Sequence, residues 1–140
     1  MCQNPSIAWA MIQTLRSIVR EGALSASGRR RLSQHRLDAL AHYLPVLVDL
    51  VRPESFGNRA LEPDKEALPS AIEQCLLDAT ACALRDPERS RSLLAQCLAA
   101  DAVDRADEVV TAMACALEER CCRRHHRART GSTGRFAAVQ

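Results

Sequence analysis

A chain of 140 residues with 47% hydrophobic and 26% charged residues is long enough to bury a sizeable core in one domain, and this composition excludes an intrinsically disordered chain. Aromatics reach only 3%, as Trp9, Tyr43, Phe56 and Phe136; the core is therefore aliphatic, and its Leu and Ala favour helices while the β-branched and aromatic enrichment of strands is missing. The formal net charge of +2 conceals a division: residues 1–36 carry six Arg and one Glu (+5), residues 37–119 seven basic and sixteen acidic groups (−9), and residues 120–140 six Arg with no acid (+6).

The first helix is expected over residues 6–21, after an Asn4-Pro5-Ser6 start, with Ala8, Met11, Ile12, Leu15, Ile18 and Val19 at helical spacing and Gly22 closing it. A turn over 23–28 precedes a long second helix, 29–52, built on Leu37, Leu40, Ala41, Leu44, Leu47, Leu50 and Val51. Pro45 lies inside it, lacks a backbone donor and presses on the Ala41 carbonyl, so this helix is expected to kink or break there. Residues 53–63, with Gly57, Asn58 and two prolines, form the longest loop. The third helix, 64–85, becomes regular near Pro69 and carries Ile72, Cys75, Leu76, Ala79 and Ala83.

Asp86-Pro87-Glu88 reads as a turn with a cap, opening a short fourth helix over 88–100 that places Leu93, Leu94, Cys97 and Leu98 on one side. Asp101 is the expected cap of a fifth helix, 102–129, whose stripe is Val103, Ala106, Val110, Met113, Leu117 and Cys121. Residues 131–140 are expected to be a flexible tail. The fold class that follows is all-α: an antiparallel bundle of four to five helices forming one domain over 1–130, its second helix kinked or broken at Pro45.

No charged segment precedes the first apolar stretch, and residues 7–12 are too short a run for a signal sequence or a spanning helix, so a cytoplasmic protein without membrane attachment is expected. Of the 19 basic residues only Lys65 is a lysine, a bias of GC-rich, bacterial coding. Seven cysteines form an odd set inside helical stripes, which in such a chain reads as reduced thiols rather than a disulfide framework. Cys75, Cys82 and Cys97 lie on or beside apolar stripes, where a thiol packs as a small hydrophobe.

Thiols, imidazoles and guanidinium groups concentrate after residue 120. Cys121 with His125, and Cys122 with His125 or His126, stand three or four positions apart on one helix, a spacing that lets two of them reach one metal, zinc being the candidate ion. A closed site would need ligands from another element, such as Cys2 or His35. Neighbouring arginines would also lower the thiol pKa of exposed Cys121 and Cys122 and make them a redox-sensing pair. Arg123, Arg124, Arg127 and Arg129 equally suit a helix C-terminus, where cations meet the negative end of the dipole. A second basic patch, Arg29, Arg30 and Arg31 with Arg36, has no interleaved aromatics for base stacking, so nucleic acid is not the favoured partner. His35 and His42 are seven apart with no Glu-x-x-His pair, and no glycine-rich phosphate loop is present. Asp101, Asp104, Asp107 and Glu108 read as a charged helix start rather than a metal patch.

Without a catalytic or cofactor motif, the expectation is a small non-enzymatic protein-binding module of the regulator, adaptor, anti-activator or chaperone type, with no cofactor. Leu47, Val51, Val110, Met113 and Leu117 are the expected docking residues, offered to another protein or to a second copy in a homodimer. Two alternatives stand beside it: a metal- or redox-responsive sensor built on Cys121, Cys122, His125 and His126, and a nucleic-acid-associated regulator using the basic patches of Arg29, Arg30, Arg31, Arg123, Arg124 and Arg127.

Overall fold

Helix α1 (Pro5–Glu21) opens on a proline whose fixed φ suits a first helical turn. It closes at Gly22, which takes φ 78° and donates its N–H to the Ile18 carbonyl at 2.8 Å, a conformation that glycine adopts without a Cβ penalty. The structure, a computed structural model, describes residues 5–51 and 69–139, with side chains as far as Arg120. Its regular elements are all helical: six helices among the described residues and no strand.

Helix α2 (Ala26–Gln34) starts from Ser25, whose hydroxyl accepts the Gly28 N–H at 3.1 Å. At its other end Arg36 sits in the left-handed region at φ 58°, Arg36 N–H donates to the Ser33 carbonyl at 3.0 Å, and Leu37 N–H reaches the Leu32 carbonyl at 2.8 Å. This is a Schellman closure, clasped by Leu32 and Leu37, both buried. The long second helix expected from the sequence is therefore two helices, divided between Gln34 and Leu40 and not at Pro45. Helix α3 (Leu40–Leu50) runs through Pro45, since the proline there removes one backbone bond while the apolar stripe on both sides of it stays in the core.

Helix α4 (Ala71–Cys82) begins with a reciprocal capping box: the Ser70 hydroxyl accepts the Glu73 N–H at 3.3 Å, and the Glu73 carboxylate accepts the Ser70 N–H at 2.8 Å. Helix α5 (Pro87–Cys97) has Pro87 in its first turn and Asp86 as its cap, accepting the Arg89 N–H at 3.2 Å, as the Asp-Pro-Glu turn implies. Helix α6 (Ala100–Val139) carries Asp101 within its first turn, not at the cap position, and continues for 40 residues through Gly131 and Gly134, past the expected end near residue 129.

In the packing, α4 pairs most extensively with α5, and α3 with α6; α1 lies on α2 and α3, and α6 also meets α4 and α5. Helix α1 is buried on nearly every side, through Ile7, Ala10, Met11, Ile12, Thr14, Leu15, Arg16, Ser17 and Ile18. One continuous apolar cluster contains Leu15, Leu32, Leu40, Leu44, Leu76 and Leu94 together with Val110 and Met113. Each fully buried Leu stabilises the fold by roughly 1.5–3 kcal/mol. Ala106 and Ala114 on α6 are fully buried and let the neighbouring backbones approach closely. No described helix is long and apolar enough to cross a membrane.

Candidate functional site

Two features of the interior carry chemistry that hydrophobic packing does not explain. The first is an ion pair between the α1 and α4 halves of the molecule. Arg16 and Glu73 are 0% and 1% exposed, and they meet in a two-pronged contact, Nε to Oε2 at 2.6 Å and Nη2 to Oε1 at 2.8 Å. The fork geometry matches a planar guanidinium to a carboxylate. The Arg16 guanidinium also lies over the Trp9 ring, 5.3 Å from its centroid. Oε1 of Glu73 additionally receives the Ser70 amide, so one carboxylate ends a helix and neutralises a buried cation. Burial pushes the Glu73 carboxyl up, but hydrogen bonds from Arg16 and Ser70 and the Arg16 charge outweigh it and hold the group below its ordinary value. A pair this deeply enclosed has no access to a substrate; it positions α1 against α4.

The second feature is a disulfide between Cys75 of α4 and Cys97 of α5, with Cα atoms 7.0 Å apart and a sequence separation of 22. Here the structure departs from the expectation of reduced core thiols: two cysteines from neighbouring stripes face each other across the α4–α5 hairpin. Helical periodicity places each on a stripe but says nothing about which residue lies opposite. Cys82 is half-buried and Cys115 exposed, and both are free. Burial raises the Cys82 thiol pKa, and the acids Asp86 and Asp78 add to that against the opposing charge of Arg89.

The residues singled out in the sequence fall in three places. Leu47, Val51, Val110, Met113 and Leu117, expected to dock a partner, are all buried in the intramolecular core. An apolar stripe at helical spacing serves a core and an interface equally well, and here the core takes it. Among the described residues the exposed large hydrophobic side chain is Leu84. The basic patch is partly free: Arg29 and Arg30 are exposed, while Arg31 is half-buried with its Nη1 enclosed and without a hydrogen-bond acceptor among the described residues. Cys121, Cys122, His125, His126, Arg123, Arg124 and Arg127 stand on the helical continuation of α6, and their side chains lie outside the described ones. Cys2, a possible additional zinc ligand, also lies outside the described residues. Among the described residues no group of three His, Cys, Asp or Glu side chains gathers to hold a metal.

One contact ties these regions together. Nε of Arg120 donates to the carbonyl of His35, the residue that ends α2, at 2.6 Å. The segment bearing Arg29, Arg30 and Arg36 is thereby joined to the point where the arginine-rich stretch of α6 begins. A shallow groove between α5 and α6 is lined by Glu88, Arg91, Ser92, Ala95, Ala100 and Val103. Arg91 closes its rim by pairing with Asp104 and Asp107. No protein-family model, curated protein or solved structure matches the chain.

Proposed function

We propose that this chain is a small cytoplasmic protein-binding module, non-enzymatic, whose docking element is the part of α6 that follows Arg120. The observation that supports it is one of length. Helix α6 has 40 residues, against 17 or fewer in every other described helix. At 1.5 Å per residue it is about 60 Å long, more than twice the span of α1. From Arg120, whose Nε holds the His35 carbonyl, the helix continues for some 28 Å. That segment holds Arg123, Arg124, Arg127, Arg129 and Arg135 and no acidic residue. Helix docking of this kind favours a partner with an acidic groove, and long-range attraction would speed the encounter.

The test replaces Arg123, Arg124, Arg127 and Arg129 with Gln in the full-length chain. The variant and the parent are compared by affinity capture from native cell extract with mass-spectrometric identification, and by light scattering after size exclusion. The proposal expects an unchanged melting temperature together with loss of a captured protein, or of a self-associated dimer, that the parent retains. Equal capture by both chains, or retention of duplex DNA in place of protein with steep salt dependence, overturns it.

A further inference from the structure

The α4–α5 hairpin is secured by packing that does not involve its disulfide. Leu76, Ala79, Ala83 and Leu94 are buried in the core, and the buried Ser90 hydroxyl donates to the Ala79 carbonyl at 2.8 Å. Asp86 caps α5 at the turn. The Cys75–Cys97 bond sits away from that turn, joining the body of α4 to the last residue of α5. Three residues later the chain enters α6: Leu98 caps α5, its N–H donating to the Leu94 carbonyl at 2.9 Å, and Ala102 N–H donates to the Ala99 carbonyl at 2.9 Å. The bond therefore anchors the corner at which α5 passes into α6, beside the groove lined by Arg91, Ala95 and Val103.

We propose that Cys75 and Cys97 form a reversible dithiol–disulfide latch that fixes the α5–α6 corner when oxidised and releases it when reduced. Three observations carry this. Both residues are half-buried, so a small thiol reaches them without unfolding the hairpin. The reduced form has a place in the fold, because Cys75 Sγ lies 3.0 Å from the Leu93 carbonyl, which accepts the S–H once the disulfide is open. The chain also keeps an exposed free thiol, Cys115, while holding the disulfide. That combination suits a compartment in which thiols stay reduced and a disulfide is a transient, switched state. Cys82 stays out of the exchange: it is seven residues from Cys75 on the same helix, about 10 Å along the axis, and burial keeps it protonated.

Opening consumes one dithiol. A thiolate of the dithiol attacks one sulfur of the Cys75–Cys97 bond, forming a mixed disulfide and expelling the other cysteine as a thiolate, which takes up a proton. The second thiol of the reductant then closes on the mixed disulfide and releases the remaining cysteine thiol. Two electrons pass from the dithiol to the protein, and a cyclic disulfide leaves; closing runs the same steps in reverse.

The test uses the full-length chain equilibrated in mixtures of reduced and oxidised dithiothreitol, quenched by alkylation and read by peptide mass mapping. Hydrogen exchange is then measured on the oxidised and reduced forms. The latch predicts a Cys75–Cys97 cross-linked peptide that appears and disappears reversibly across the series while the chain stays folded. It also predicts at least tenfold faster exchange at the Leu98 and Ala102 amides in the reduced form, with the Val51 amide of α3 unchanged. The variant Cys97→Ser should exchange at the reduced rate under all mixtures. Failure of the cross-link to form, failure of dithiothreitol to open it in the folded protein, or identical exchange in both forms each overturns the proposal.

Discussion

Replacing Glu73 by Gln isolates the charge of the buried pair from its helix-capping role. The Gln side-chain carbonyl keeps an acceptor for the Ser70 amide, so the capping box survives in part, while the Arg16 guanidinium loses its buried counter-charge. Removing one partner of a buried ion pair costs about 3–5 kcal/mol, because the remaining charge stays desolvated. Glu73→Ala loses the cap as well, adding about 1 kcal/mol. A domain of this size is stable by about 5–15 kcal/mol, so the Ala variant loses at least about a quarter of its margin. A double variant, Arg16→Met with Glu73→Gln, removes the stranded charge and should recover a substantial part of the loss, giving a coupling energy of at least about 1.5 kcal/mol. Urea unfolding followed by circular dichroism at pH 7 measures all four corners of the cycle. A Glu73→Gln variant within about 0.5 kcal/mol of the parent, or strict additivity in the double variant, would refute the reading of this pair as the tie between α1 and α4.

Lowering the pH tests the same pair. The folded pKa of Glu73 lies below its ordinary value of 4.5, so the stability it contributes is complete above 4.5 and is lost as pH falls from there through the lower folded pKa; Glu73→Gln should flatten this acid limb of a stability–pH profile. Arg36 holds a left-handed conformation that costs a non-glycine residue about 1 kcal/mol, so Arg36→Gly should raise the urea midpoint, and no rise would mean that the side chain makes up the difference. Conversely, Gly22→Ala at φ 78° should destabilise by about 1 kcal/mol in the same assay. Opening the disulfide by Cys75→Ser with Cys97→Ser frees a loop set by a separation of 22 and should lower stability by about 3 kcal/mol on the loop-entropy estimate, leaving the helical circular-dichroism spectrum intact.

The parts of the fold that were legible in the sequence are those decided locally. Gly22 ends α1 because a left-handed residue is needed there, and Asp86-Pro87 starts α5 because a carboxylate cap and a proline in the first turn are both short-range devices. The break after α2 escaped because its left-handed residue is an arginine, a type that carries no turn signal, while the conspicuous Pro45 proved tolerable inside an 11-residue helix. Arg16 and Glu73 lie 57 positions apart, and no periodicity links them. The available signal was an arginine standing next to Leu15 and one turn from Ile12 on the apolar stripe of α1, since such a stripe, once buried, must supply its arginine with a partner. Leu47, Val110 and Met113, expected as docking residues, form an apolar stripe of the kind any bundle needs for itself, and they are buried in its core.

The most direct measurement of the functional account is made on a chain ending at Arg120, compared with the full-length protein by thermal unfolding and by capture of its partner. The account predicts that the shortened chain unfolds cooperatively within a few degrees of the parent, because it keeps the core residues through Leu117 and the His35 contact at Arg120, and that it captures nothing. A shortened chain that fails to fold would mean that the end of α6 belongs to the bundle. One that folds and still captures the partner would place the docking surface elsewhere.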